Sequence, residues 1–393
     1  MPLPLFALFL AAFAVGTNEF IIAGILPQVA ADLDVGIPIA GLLISGYAAG
    51  VAIGGPIVAI LTTRFERKTT LIGLMVIFVA GNLLCALAPS YGWLMAARVV
   101  ISFTHGALLG FACVMATTLV TEDRRARAIA LVLAGLTIAN VVGVPIGTAI
   151  GTAFGWRTTF WAIAILGIAS TAGIAVLLPR AGGGDEPKPS LRSEIGVLGR
   201  QEVYLSLAMI AAASMAYFGL FSYIAPLLID VAGASPLALP WLLSLFGVGA
   251  VIGILAGGRL ADWKLMPSIV GIFAVQTVMF LVLPFAVHNL IFAAVTMFVW
   301  SATGIALIAA PAQARVLNGA RAAPNLAATL ISSAFNVGIS AGAAIGAAAL
   351  THGLGYAQLP WLGLIGVLSA LGLAVLALAL DRREGIAAGA AAA

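Results

Sequence analysis

An all-α integral membrane fold is what this sequence predicts: twelve transmembrane helices in two pseudo-symmetric six-helix bundles, with N and C termini cytoplasmic. Three observations point there. Of 393 residues, 63% are hydrophobic and 8% are charged, against roughly a quarter charged in a soluble domain. Apolar runs of the ~20 residues needed to cross a ~30 Å hydrocarbon core recur along the chain, while the period-2 segments of a membrane barrel are absent. The chain also looks duplicated, because Gly143, Gly147 and Gly151 return 195 positions later as Gly338, Gly342 and Gly346.

The expected spans are 3–29, 38–61, 69–88, 93–120, 126–153 and 158–178, then 203–230, 237–261, 267–287, 290–314, 323–350 and 359–380. The first ends in Ile25-Leu-Pro27 and the seventh repeats that pattern as Ile224-Ala-Pro226. The second closes on a basic loop, Leu61-Thr-Thr-Arg-Phe-Glu-Arg-Lys68, matched after the eighth by Gly257-Gly-Arg-Leu-Ala-Asp-Trp-Lys264. Between the sixth and seventh lies the one long polar stretch, rich in Gly, Pro and mixed charge, which reads as a flexible linker. The expected division is therefore a first bundle over 1–179, a cytoplasmic linker over 180–202, and a second bundle over 203–393 with a short tail.

The net charge of +4 invites an acidic partner such as nucleic acid, but sixteen of the eighteen Lys and Arg fall on one side of this map, once per hairpin. That distribution is topological, and the positive-inside rule makes the side cytoplasmic. The exceptions are Arg98, inside a span, and Arg157, on the other side. Cys85 and Cys113 fall near opposite faces, which argues against a disulfide. The first apolar run has no basic region before it and is too long for a cleaved leader, so a retained span is expected.

Glu19 sits mid-span and cannot be moved to a segment end by shifting a boundary. An ionised carboxylate at membrane depth costs at least ~2.5 kcal/mol, so it needs a proton, water or a partner. At 1.5 Å per residue, Glu19 lies roughly 16 Å and Arg98 roughly 10 Å from the same outer surface, within side-chain reach in depth if their helices adjoin. Low-dielectric surroundings penalise the Glu19 charge and a guanidinium offsets that penalty, so a motion that changes either one moves a proton. A static ion pair is the competing reading. It is weakened by the seventh span, whose aligned stretch near Phe218 has no carboxylate.

His105 stands below Arg98 on the same helix and is either a proton relay or a donor to a neighbouring backbone. Asn18, Asn140 and Asn336 either orient a solute or bond between helices. Tyr217 and Phe221 would suit a flat apolar solute if they face a cavity and lipid if they do not. No phosphate-binding loop and no Cys/His metal spacing is present, so neither an ATP motor nor a resident metal is expected.

Several of these stretches together resemble the major facilitator superfamily, in particular its bacterial drug/proton antiporter branch of sugar-efflux, purine-efflux and chloramphenicol-export type. They are Gly16-Thr-Asn-Glu-Phe20 with Pro27, the basic loop, Leu94-Met-Ala-Ala-Arg98, Gly135 through Gly143-Val-Pro145-Ile-Gly147, and Gly155-Trp-Arg157. The resemblance implies a major facilitator fold in the bacterial inner membrane, with the first and fourth helices lining a central cavity and Arg98 tied to proton coupling; with the residue readings above, Glu19, Arg98 and His105 are the expected proton-coupling residues and Asn18, Asn140, Tyr217, Phe221 and Asn336 the expected cavity residues. It further implies a hinge and a seal between halves at Gly143, Pro145 and Gly147, and cytoplasmic gating by Arg64 and Asp262. The family loop has Asp and Gly where this chain has Thr63 and Glu66.

The expected activity is export of a small organic solute, drug, sugar or nucleoside-like, in exchange for protons, with the proton gradient in place of any cofactor. The expected partners are that solute, protons and the lipid bilayer; no nucleic acid is expected, and a monomer is. Import or passive facilitation on the same fold, a membrane receptor and, least favoured, a membrane enzyme remain as alternatives.

Overall fold

The computed structural model describes residues 3–62, 65–179, 200–320 and 324–392. Arg64 and nearly all of the expected linker lie outside the described residues. The described elements are helical: α1 (Leu3–Asp32), α2 (Ile37–Thr62), α3 (Arg67–Ala86), α4 (Tyr91–Thr118), α5 (Arg125–Ile138), α6 (Val144–Phe154) and α7 (Trp156–Leu177). After the linker come α8 (Gln201–Phe221), α9 (Leu239–Trp263), α10 (Leu265–Ala286), α11 (Leu290–Thr303), α12 (Ile305–Gly319), α13 (Pro324–Thr351) and α14 (Leu359–Ala392). Among the described residues eleven helices are long and apolar enough to cross a membrane. Lipid offers backbone groups no hydrogen-bond partners, so each crossing closes its own ladder.

Three expected spans are interrupted. In the fifth, a π-helical turn over Ala139–Gly143 joins α5 to α6, and the Val144 N–H reaches back to the Ala139 carbonyl. Pro145 explains it: its ring has no N–H and crowds the carbonyl of Val141, so the turn widens. In the seventh, α8 stops at Phe221 and a second π turn, Leu227–Val231, follows Pro226. The tenth breaks at Gly304, where a Cβ would lie 2.5 Å from the Tyr217 ring and 2.7 Å from the Trp300 carbonyl oxygen. Both α11 and α12 pack along α9.

Lys68 Nζ donates to the Leu178 carbonyl at 2.6 Å, Arg200 to that of Gly319 at 2.9 Å, and Arg315 pairs with Asp381 at 2.6 Å. These contacts define a basic rim of the molecule. Two seams join the halves. Along α2 and α13, which run antiparallel, Ser45 Oγ donates to the Ser340 carbonyl at 2.9 Å and Ser333 Oγ to that of Ala52 at 3.1 Å. Along the other, Gly247 of α9 lies against the backbone of Asn140 and Val141, 2.7 Å from the Val141 Cα to a Cβ placed there. Away from the basic rim the halves meet closely, with the Tyr223 ring filling the space over Gly41 and the Leu243 side chain over Gly24.

Candidate functional site

Between the seams lies a cavity of about 470 Å³, within the range that takes a drug-sized molecule. At mid-depth it is walled by Glu19, Phe20, His105, Tyr217, Phe221 and Phe246, and it runs toward the basic rim past Leu133, Ile254, Leu317 and Ala328. Glu19 thus faces the space between the halves rather than lipid.

Glu19 is held there because α1 is packed on several sides, by α5, α6, α7 and α2. Small residues allow that approach: a Cβ at Gly135 would lie 2.5 Å from the Phe9 carbonyl oxygen, and one at Gly143 would overlap the Thr17 hydroxyl. The Glu19 carboxylate sits 3.8 Å from His105 Nε2, both side chains being more than nine-tenths buried. On its other side the His105 ring meets α2, with the Tyr47 hydroxyl 3.0 Å from Nδ1. With Glu19 ionised, the favoured tautomer carries its proton on Nε2 and accepts from Tyr47 at Nδ1; with Glu19 protonated, a bare Nε2 faces the carboxyl and Nδ1 donates to the Tyr47 hydroxyl, so the ring follows the charge of the carboxylate.

Arg98 is fully buried, and here the structure departs from the expected side-chain pair. Its Nε donates to the Leu43 carbonyl at 3.3 Å, and its two terminal nitrogens to the carbonyls of Asn18 at 3.3 Å and Glu19 at 3.5 Å. The guanidinium also lies 4.7 Å over the Tyr47 ring. Arg98 therefore ties α1, α2 and α4 through backbone oxygens, and its charge still stands near Glu19. Depth arithmetic brought the two residues to one level; it carried no information about which side of each helix they face.

Tyr217 and Phe221 both line the cavity within a cluster of rings. Phe20 stacks on Phe218 at 5.5 Å, Phe221 on Phe246 at 5.0 Å, and Tyr217 on the buried Trp300 at 4.3 Å between centroids. Asn140 and Asn336 are also lining residues, whereas Asn18 is completely buried in α1.

The glycine ladder faces its own half: a Cβ at Gly147 would lie 2.6 Å from Ile21 of α1, and Thr159 of α7 donates to the Gly147 carbonyl at 2.9 Å. The Gly143 and Gly147 faces thus point at α1 and α7 of their own half, while contact with the other half on this crossing is made by the π turn, at Asn140 and Val141, and by α6, both against α9. Pro145 is buried at the start of α6 and sets the π turn above. Asp262 is exposed in the last turn of α9.

Two features escaped the sequence reading. Tyr47 left a usable signal, since nine residues from the start of its span at 1.5 Å each is ~14 Å, nearly the depth of Glu19. The bidentate pair of Arg315 with Asp381, at 2.6 and 2.9 Å, left none, because no pattern along the chain places α12 beside α14.

The Major Facilitator Superfamily model matches residues 8–347. The chain is 40% identical to the inner membrane transport protein YdhP of Escherichia coli K12, over 97% of this chain and 96% of that one. It is 36% identical to a chloramphenicol resistance protein of Streptomyces lividans, covering 90% and 91%. Among solved structures, a bacterial homolog of the human lysosomal transporter Spinster, inward-facing and occupied, superposes with a TM-score of 0.76 at 17% identity, covering 95% of this chain and 96% of that one. At that identity the likeness speaks for the fold.

Proposed function

The chain belongs to the Major Facilitator Superfamily, and from that premise we propose that it exports a small organic solute in exchange for protons by alternating access. In this reading the chain crosses the bacterial inner membrane twelve times, with α11 and α12 as one broken crossing and both ends cytoplasmic. The basic rim is then the cytoplasmic one, and the cavity faces the cytoplasm. The chain works as a monomer with no resident cofactor.

The observation that carries the reading is the Glu19 carboxylate in the wall of the inter-half cavity, 3.8 Å from His105 and beside the Arg98 charge. A proton entering down 100 mV supplies ~2.3 kcal/mol, which at ~1.4 kcal/mol per decade supports a roughly 45-fold gradient of a neutral solute. One titrating carboxylate is enough for that exchange. When the halves rock, the site exchanges its opening toward the basic rim for one at the opposite rim, and Glu19 meets the other aqueous phase.

The test uses inverted vesicles holding the protein and an acidic interior, with chloramphenicol first because a relative carries its name. Solute-induced proton efflux is expected. Solute flux indifferent to an imposed pH gradient would replace antiport with facilitation, and proton uptake alongside solute would replace it with symport.

A further inference from the structure

We propose that the cavity selects an aromatic solute bearing N–H or O–H donors, held between two acceptor oxygens, Oδ1 of Asn140 in the first half and Oδ1 of Asn336 in the second. The inference rests on the transport reading and names the class of solute. Both amides are oriented by their own helices. Asn140 Nδ2 donates to the Leu136 carbonyl at 3.2 Å and Asn336 Nδ2 to the Ser332 carbonyl at 3.0 Å, each one turn back. A carbonyl only accepts, so the amide nitrogen must be the atom that faces it, and the oxygen is left as the free end.

Asn336 is 3% exposed and its Oδ1 has no hydrogen-bond partner, although the residue lines the cavity. A buried bare acceptor is costly, so a donor that reaches it gains more than it would in water. The two asparagines lie just before the glycine ladders of their respective halves, so one solute touching both would bridge the halves.

The rest of the wall narrows the class. Phe20, Tyr217, Phe218, Phe221, Phe246 and Phe335 all line the cavity and offer faces and edges to a ring. Among the described lining residues there is no Lys or Arg, and the one carboxylate is Glu19. Carboxylates and phosphates therefore meet no cation among these residues; Thr137, Gln313 and Ser332 can donate or accept, whereas the two asparagine oxygens only accept.

The protein in lipid nanodiscs is titrated calorimetrically with N-(2-hydroxy-2-phenylethyl)acetamide, with the same compound methylated at oxygen and nitrogen, and with phenyl phosphate. The parent compound is expected to bind at least about tenfold tighter than its methylated form, with phenyl phosphate not binding. Asn336→Val is expected to remove most of that preference, and Asn140→Val, at a less buried site, to reduce it in a protein that folds normally. Equal binding of parent and methylated compound, no binding of either, or a preference intact in both variants overturns the assignment. No gradient is present, so a donor-selective site in a protein that moves no solute would sink the transport reading alone. Gradient-driven export without donor preference would sink the assignment alone.

Discussion

Tyr47 and His105, 58 positions apart, are joined side chain to side chain, with the hydroxyl 3.0 Å from Nδ1. The opposite ring nitrogen stands 3.8 Å from the Glu19 carboxylate, and because a hydroxyl can donate or accept, Tyr47 supports whichever tautomer the charge on Glu19 requires. Tyr47→Phe is expected to fold normally, to lower gradient-driven transport about five- to tenfold, and to change the shape of its pH profile. His105→Gln should do at least as much, and the double variant no more than His105→Gln alone. A Tyr47→Phe protein with a slower rate but an unaltered pH profile would reduce the residue to packing.

Glu19→Gln keeps the shape of the side chain and removes its titration. Proton-driven export should disappear, while exchange of labelled for unlabelled solute, which needs no net proton movement, should continue. Retention of gradient-driven export in this variant would remove Glu19 from the coupling.

Arg98 serves three carbonyls on two helices. Arg98→Ala should destabilise the first half by about 2–4 kcal/mol through lost charge-assisted bonds and a large void, read as a lower midpoint of thermal unfolding. Arg98→Lys retains the charge but cannot reach three oxygens from one nitrogen, so it should restore stability only in part. Full restoration by lysine would mean that charge alone matters there.

The seam at Gly247 has no room for a side chain, because what a Cβ would meet is the backbone of Asn140 and Val141. Gly247→Ala should lower both stability and transport by forcing the halves apart at mid-depth. Gly73 provides the control: it is a glycine inside α3 with nothing within 4 Å of a Cβ, so Gly73→Ala should stabilise by about 0.5–1 kcal/mol and leave transport unchanged. Equal behaviour of the two variants would contradict the packing described.

Arg315, 7% exposed, and Asp381 pair through two parallel hydrogen bonds between α12 and α14. Removing one partner strands a charge on the other, and since Asp381→Ala leaves Arg315 with only 8% of its side chain exposed, that variant should cost about 3–5 kcal/mol. Replacing both residues with apolar ones of similar volume should recover most of the loss, as measured by thermal unfolding in detergent.

The positions of most of the long apolar helices, and the placing of Glu19 in the middle of the first, were legible in the chain itself. A bilayer admits only helices that close their own hydrogen bonds, so length and hydropathy fix where they run, and a rise of 1.5 Å per residue converts position to depth. Pro145 even marked where the fifth span would loosen, though not that the ladder would widen into a π turn.

Azimuth and neighbours were decided by the tertiary structure alone. Each residue advances about 100° around its helix, so an error of two residues turns a side chain from cavity to lipid, and no one-dimensional pattern states which helices touch. That is why His105 rather than Arg98 came to face the Glu19 carboxylate, why Gly143 and Gly147 turned inward to α1, and why Tyr47 entered the site only when α2 was laid against α4.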